Sequence, residues 1–347
     1  MAYSGPTEIS AVNRQGVDAT PELRPPRKNP LLLTLDVHEH PELFNILSNS
    51  ADVLERNNVR ATYFIPAGLL RGSPAGRTAV RKLKDRGHSV GCHGLHHSTS
   101  EDLGTMSPPA EFRLLKEATS MLEDALGGPV TSFRAPDFRL SRRTLLFLSE
   151  LGYKADLSVT PQRLPILSSS PWCLGWLFAP RSPYHPSERS PYRRGLLPVK
   201  EIPTSCFLIP LAHGTIANLR PAIPARLLAL LSTEARLFQR PLVAMLHPES
   251  LIGAAELWKP SLAWHDFFPR RNGGFHCRFY FLMERDPRTI HRRIMAFLER
   301  LVLAGVEAVS VDDYLALPTG DRSGDLSGMD LNLGPELVKS NAEVAIS

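Results

Sequence analysis

The chain has 347 residues, 43% of them hydrophobic, enough to bury one large barrel-sized core or two smaller ones. Its formal charge of +5 is mild and its arginines are interspersed with acids, which argues against a nucleic-acid-binding stripe. Cys92, Cys173, Cys206 and Cys277 lie far apart and form no C-x-x-C pair, so neither a disulfide framework nor a zinc ribbon is expected, and a reducing cytoplasmic setting is.

No run approaches the roughly 18 apolar residues of a membrane span. Met1 to Asn29 is polar and proline-bearing, without an apolar signal core. Residues 1–29 and 318–347 carry too few large apolar groups to offset the entropy of ordering, and both are expected to be disordered tails around one domain spanning 30–317.

Within that domain strands and helices alternate. Leu31 to Val37 is a continuous apolar run with Asp36 near its end, the pattern of a buried parallel strand. A helical period runs from about Pro41 to Asn57, Arg60 to Ile65 reads as a strand, and a helix over Ala75–Arg86 leads into a strand ending near His93. Ser107 stands at the cap position of a longer helix that Gly127 ends. Val130 to Arg134 is strand-like, Ser141 opens a helix to about Leu151, and Tyr153 to Asp156 begins another strand.

From Ser168 to Pro198 the regularity breaks. Prolines alternate with Trp172, Trp176, Tyr184 and Tyr192, which predicts a long surface loop over the site. Its aromatics suit either stacking on a sugar ring or packing within the loop. Strands at Leu197–Ile202, Leu242–His247 and Val306–Val309 and helices at Ile223–Phe238 and Thr289–Leu303 complete the pattern. Such alternation predicts parallel strands with helices outside, in an open sheet or a barrel.

His88, His93, His96 and His97 put four imidazoles within ten residues, and His93 and His97 are four apart. On a helical turn or a tight bend that spacing aims two imidazole nitrogens at one ion, although the glutamate of the zinc-protease motif is missing. Asp36, His93, Arg134, Asp156 and His247 all fall at or just past predicted strand ends, where parallel α/β folds gather their sites. Core packing alone does not account for such a set.

In order, Thr34-Leu35-Asp36-Val37, His93-Gly94-Leu95-His96-His97, Arg134-Ala135-Pro136, Asp156 and Leu246-His247 resemble the five motifs of polysaccharide deacetylases with the NodB homology domain, carbohydrate esterase family 4. Val311-Asp312-Asp313-Tyr314-Leu315 is similar to that family's usual end. The resemblance implies a distorted (β/α)7 barrel and metal-assisted hydrolysis of a non-peptide C–N bond, releasing an N-acyl group, acetyl or formyl, from a sugar. It implies a divalent metal, with zinc suited to the donors, held by His93 and His97. The family's usual second aspartate is Val37 here, which cannot bind metal. Some members place the ligand two residues past the base, which would be His38, with Glu39 the alternative.

Asp36 is then the base, Arg134 the group that keeps it ionised, His247 the acid, and Asp156 the residue favouring the acid's cationic form. His40, His88, His96 and His185 are expected at the surface or in supporting positions. The implied partner is an N-acylated sugar or sugar-containing precursor, including a lipid-linked one met at the inner membrane face. A small-amide or ureide hydrolase and a metal-free glycan-binding module are the competing readings.

Overall fold

The computed structural model describes residues 29–98, 101–164, 174–254, 283–304 and 306–317. The two expected tails, except Asn29, lie outside these residues, as do Trp172, Cys173 and Cys277. Asn29 already takes part in the fold, its carbonyl accepting from Glu307 N at 3.1 Å.

In chain order the elements are β1 (Pro30–Asp36), α1 (Leu43–Arg56), β2 (Ala61–Ile65), α2 (Pro74–Asp85), β3 (Ser89–Cys92), α3 (Pro108–Leu126), β4 (Ser132–Phe133), α4 (Thr144–Glu150) and β5 (Ala155–Asp156). They continue with α5 (Gly175–Phe178), β6 (Pro186–Ser187), β7 (Ser190–Arg194), β8 (Lys200–Glu201), β9 (Cys206–Phe207) and β10 (Ile209–Pro210). The last are α6 (His213–Asn218), α7 (Ala222–Leu237), β11 (Leu242–Leu246), α8 (Pro248–Leu251), α9 (Pro287–Leu303), β12 (Glu307–Ala308) and α10 (Val311–Ala316).

Seven parallel strands lie side by side in the order β11, β1, β2, β3, β4, β5, β8, and β12 pairs with the first two residues of β1. The sheet curls, and the gap between β8 and β11 is bridged by irregular chain. Ser205 N donates to Val243 O at 3.0 Å, and Met245 N to Leu211 O at 3.1 Å. This is the expected distorted (β/α)7 barrel, with the distortion located in the closing segment.

Period-two alternation sorts each strand between inside and outside. Along β1, Leu31, Leu33 and Leu35 pack into the cluster shared with the helices, whereas Leu32 joins Phe64, Ala155, Leu157, Ile202 and Val243 in a second cluster that fills the barrel floor. Thr34 and Asp36 continue upward on the face of Leu32. The same face carries Gly91 on β3 with His93 just past it, Ser132 on β4 with Arg134 just past it, and Val243 and Met245 on β11 with His247 just past it. A Cβ on Gly91 would stand 2.5 Å from the Phe64 ring and 2.6 Å from Ser132 Oγ, so only glycine fits there.

The long helices follow their apolar stripes. Ser73 Oγ caps α2 by accepting from Gly76 N at 3.0 Å, and Gly127 ends α3 in the left-handed region at φ +68°. No described helix is long and apolar enough to cross a membrane.

The predicted strands at 130–134, 153–156 and 197–202 shrink to two residues each, because the curled wall pairs regularly for only a short stretch there. The 168–198 segment differs more from expectation. Its described part holds α5 and the β6–β7 hairpin, and Tyr184 exchanges backbone hydrogen bonds with Glu201 of β8. Trp176 and Tyr184 are buried, and Tyr184 Oη donates to Pro191 O, so these two aromatics pack the segment rather than face a ligand. That described part lies against β8 and α7, where Arg181 pairs with Glu234.

Candidate metal centre

The mouth is assembled on strand ends. Backbone hydrogen bonds carry the ladder one residue past β1, β3, β4 and β5, from Val37 N to Phe64 O, His93 N to Ile65 O, Arg134 N to Cys92 O and Leu157 N to Phe133 O. Asp36, His93 and Arg134 are therefore held by strand pairing rather than by loops.

Arg134 is fully buried, and its Nε and Nη1 find acceptors, while Nη2 has no partner among the described residues. Nη1 donates to Asp36 Oδ1 at 2.8 Å and Thr34 Oγ1 at 2.7 Å, Nε donates to Leu157 O at 3.0 Å, and the Phe64 ring lies under the group at 4.7 Å. Burial by itself would raise the Asp36 carboxyl. The Arg134 charge and hydrogen bond, with His93 and His38 nearby, outweigh it and hold that carboxyl below its usual range.

His93 is also buried, and its Nδ1 faces the Arg134 carbonyl oxygen at 2.8 Å. That contact makes Nδ1 the protonated nitrogen and leaves Nε2 a bare acceptor. Among the described residues Nε2 has no hydrogen-bond partner. Burial pushes the His93 imidazole down to about 3, so it stays neutral near neutral pH.

His97 adopts φ +53°, a conformation uncommon for a side-chain-bearing residue. Glu101 fixes the bend, its Oε2 accepting from His96 N at 2.7 Å and His97 N at 3.0 Å. Burial, and then His38, lower the His97 pKa. His38 arrives from the end of β1, and its pKa is raised. Burial opposes this, but the Glu249 carboxylate, helped by Asp36 and Asp137, prevails.

The ring centre of His97 stands 4.8 Å from those of both His38 and His93. Ligand nitrogens of His38, His93 and His97 lie within 4.8 Å of one another. The fit to a divalent ion rests on His93 Nε2, an orphaned buried acceptor that converges with two more imidazoles. Three neutral nitrogens suit borderline-soft zinc. Of the two alternatives for the third position, His38 joins the set and Glu39 does not.

His247 closes the far side, its ring 4.5 Å from that of His38 and stacked on His213 at 4.1 Å and 13°. Burial and the surrounding imidazoles of His213, His38, His97 and His93 hold it neutral. The carboxylate beside it is Glu249, whose Oε1 is 3.5 Å from His247 Nδ1.

The expected pairing of Asp156 with His247 is absent among the described residues. Asp156 is in register with Phe133 and Glu201, both on the face opposite Arg134 and Leu157, so its side chain leaves the barrel interior. There it accepts from Ser158 Oγ at 2.6 Å and lies against Glu201. His88 is buried at the opposite end of β3, where its Nδ1 accepts from Ala61 N at 3.2 Å. It is neither a surface residue nor a support for the site. His96 packs over Gly68, and His40 Nδ1 accepts from Glu42 N.

Sequence reasoning missed Glu101, His213 and Glu249. Glu249 had a faint signal, two residues past His247, and His213 had none, lying in a stretch without periodicity.

The polysaccharide deacetylase family model matches residues 24–155. A chitin deacetylase of Colletotrichum lindemuthianum is 29% identical over 44% of this chain and 60% of its own length. A peptidoglycan deacetylase-like protein of Gibberella zeae is 26% identical over 31% of each chain. The match thus spans less than two thirds of either relative. A solved structure of a candidate polysaccharide deacetylase from Mycobacterium smegmatis aligns with a TM-score of 0.50 at 15% identity, over 84% of this chain and 90% of that one, which shows a shared fold.

Proposed function

From the match of residues 24–155 to the polysaccharide deacetylase family model, we propose that this chain is a metal-dependent hydrolase that removes an N-acyl group, acetyl or formyl, from a sugar or sugar-containing precursor. The observation that carries the reading is the convergence of His38, His93 and His97 beside an Asp36 that Arg134 keeps ionised.

His38, His93 and His97 would hold the ion; when bound, a divalent ion lowers the pKa of a water and polarises an amide carbonyl. Asp36 accepts the proton of the attacking water, and its low pKa keeps it available as a base. Arg134 holds that carboxylate in place through a buried hydrogen bond and takes no proton itself. His247, across the site, gives a proton to the departing nitrogen. Because its surroundings keep it neutral at rest, the proton it passes on is one it receives during turnover, the proton that Asp36 takes from the attacking water. Buried free thiols at Cys92 and Cys206 support a cytoplasmic setting as part of the proposal.

The test is chelation of the purified protein followed by zinc add-back, with acetate and formate release measured on a panel of N-acyl sugars and small amides. Release that disappears on chelation and returns with zinc is expected. A panel that yields no metal-dependent release sinks the reading, and release from small amides alone moves the substrate class away from sugars.

A further inference from the structure

His38 belongs to a second group of donors. His38, His247 and Glu249 also place one ligand atom each within 4.8 Å of one another. Glu249 Oε1 stands 3.5 Å from His247 Nδ1 and 3.8 Å from His38 Nδ1. Both separations exceed the roughly 2.7–3.2 Å of a direct N–H···O hydrogen bond. They are close to the roughly 3.3–3.5 Å between neighbouring donors around a tetrahedral ion with bonds of about 2.0–2.2 Å.

The chain path fixes this arrangement. His247 follows β11 at the cap position of α8, Pro248 opens that helix, and Glu249 in its first turn comes back beside the imidazole. All three side chains keep some exposure, 34% for His38, 22% for His247 and 18% for Glu249, so an ion has a way in.

We propose that the chain carries a second divalent-cation site, formed by His247, Glu249 and His38, and that zinc in excess fills it and switches off hydrolysis. The binding half of this inference stands on the donor geometry, and the inhibition half rests on the function proposed above. An imidazole acts as an acid only when both nitrogens carry protons. A cation on His247 Nδ1 occupies one of them, and His247 can then no longer pass a proton to the leaving nitrogen. His38 is common to both donor sets, and a neutral imidazole gives its one bare nitrogen to one cation, so while the first ion holds His38 the second rests on His247 and Glu249 and fills after it.

The experiment starts from chelated, full-length protein titrated with zinc against a chromophoric competitor, with bound zinc counted by elemental analysis. Wild type is expected to take two equivalents in separate steps. Glu249→Gln, a near-isosteric change at a partly exposed side chain, should keep the first step and weaken the second by at least about 10- to 100-fold. His247→Ala should also lose only the second, and His93→Ala should lose the first. Where hydrolysis is measured, the ratio of rates at high and low zinc should fall below one for wild type and stay near one for Glu249→Gln. One equivalent in wild type across the whole range, or an unchanged second step in Glu249→Gln, overturns the site. Two zinc steps without hydrolysis of any N-acyl sugar would sink the functional reading and leave the site standing. Hydrolysis with a single ion would do the reverse.

Discussion

The backbone carbonyl of Arg134 faces His93 Nδ1 at 2.8 Å, while the guanidinium of the same residue donates to Asp36 at 2.8 Å. One residue therefore sets the tautomer of a metal-ligand candidate with its main chain and the charge of the base candidate with its side chain. The two roles are separable, because substitution changes only the second.

Arg134→Ala should lose both stability and turnover. It strands a buried Asp36 without its counter-charge, and breaking a buried pair in this way costs about 3–5 kcal/mol. Arg134→Lys should fold better, since it keeps the charge, yet lose the hydrogen bonds to Thr34 and Leu157 that orient the group. Zinc binding should survive in the Arg134→Lys variant because the His93 contact is to the backbone. Calorimetric melting and zinc analysis of both variants check this; a zinc-free but stable Arg134→Lys protein would show that the side chain, not the carbonyl, governs the metal site.

Zinc affinity should depend on pH through one residue. A ligand must lose its proton to bind, and His93, at about 3, and His97, lowered by burial, are already neutral near neutrality. His38 is raised above 6.5, so its protonation competes with zinc below that raised value. The logarithm of the affinity should therefore climb about one unit per pH unit up to the His38 pKa and flatten above it. Glu249→Gln removes the main cause of the raised pKa and should move the break to lower pH. A slope of two would mean that a second imidazole still titrates.

Much of the site could be read from the chain because β1 and β11 are apolar runs that announce where they stop, with Asp36 and His247 at those stops, and because His93 stands four residues before His97. Asp156 shows where that reasoning ends. A two-residue strand has no visible alternation, and which face its aspartate takes depends on the register with Phe133 and Glu201, which only the folded sheet defines. His213 was out of reach for a related reason: its helix follows the irregular chain that closes the barrel, and its stacking on His247 depends on that closure. In the 168–198 segment prolines masked a hairpin, because β6 and β7 place Pro186 and Pro191 within a short antiparallel pair off the main sheet.

His247→Ala should retain the zinc held by His38, His93 and His97 and lose turnover by about 10²–10⁴-fold, the usual worth of a positioned acid or base. The ring is beside His38 but is not one of the three converging nitrogens. Elemental analysis at limiting zinc, paired with steady-state rates, separates the two effects. Parallel loss of zinc and rate would remove His247 from the acid role.

Asp156 and Glu201, cross-strand neighbours buried on the outer face, should share a proton. Val159 N donates to Glu201 Oε1 at 3.0 Å, and Glu201 Oε2 has no donor among the described residues, as fits an atom that carries the proton and gives it to Asp156. Burial first, and then the neighbouring Asp156 charge, push Glu201 well above 4.5. For a raised acid the sign is fixed: the stabilisation is complete below the unfolded value of about 4.3 and is lost as pH rises through the folded one. Glu201→Gln keeps a donor that never ionises. Its unfolding free energy, measured by urea at several pH values from mildly acidic to alkaline, should lose that decline, whereas Glu201→Ala should be less stable throughout. If Glu201→Gln falls with pH as steeply as wild type, the pair does not hold the shared proton and Asp156 must be satisfied by Ser158 alone.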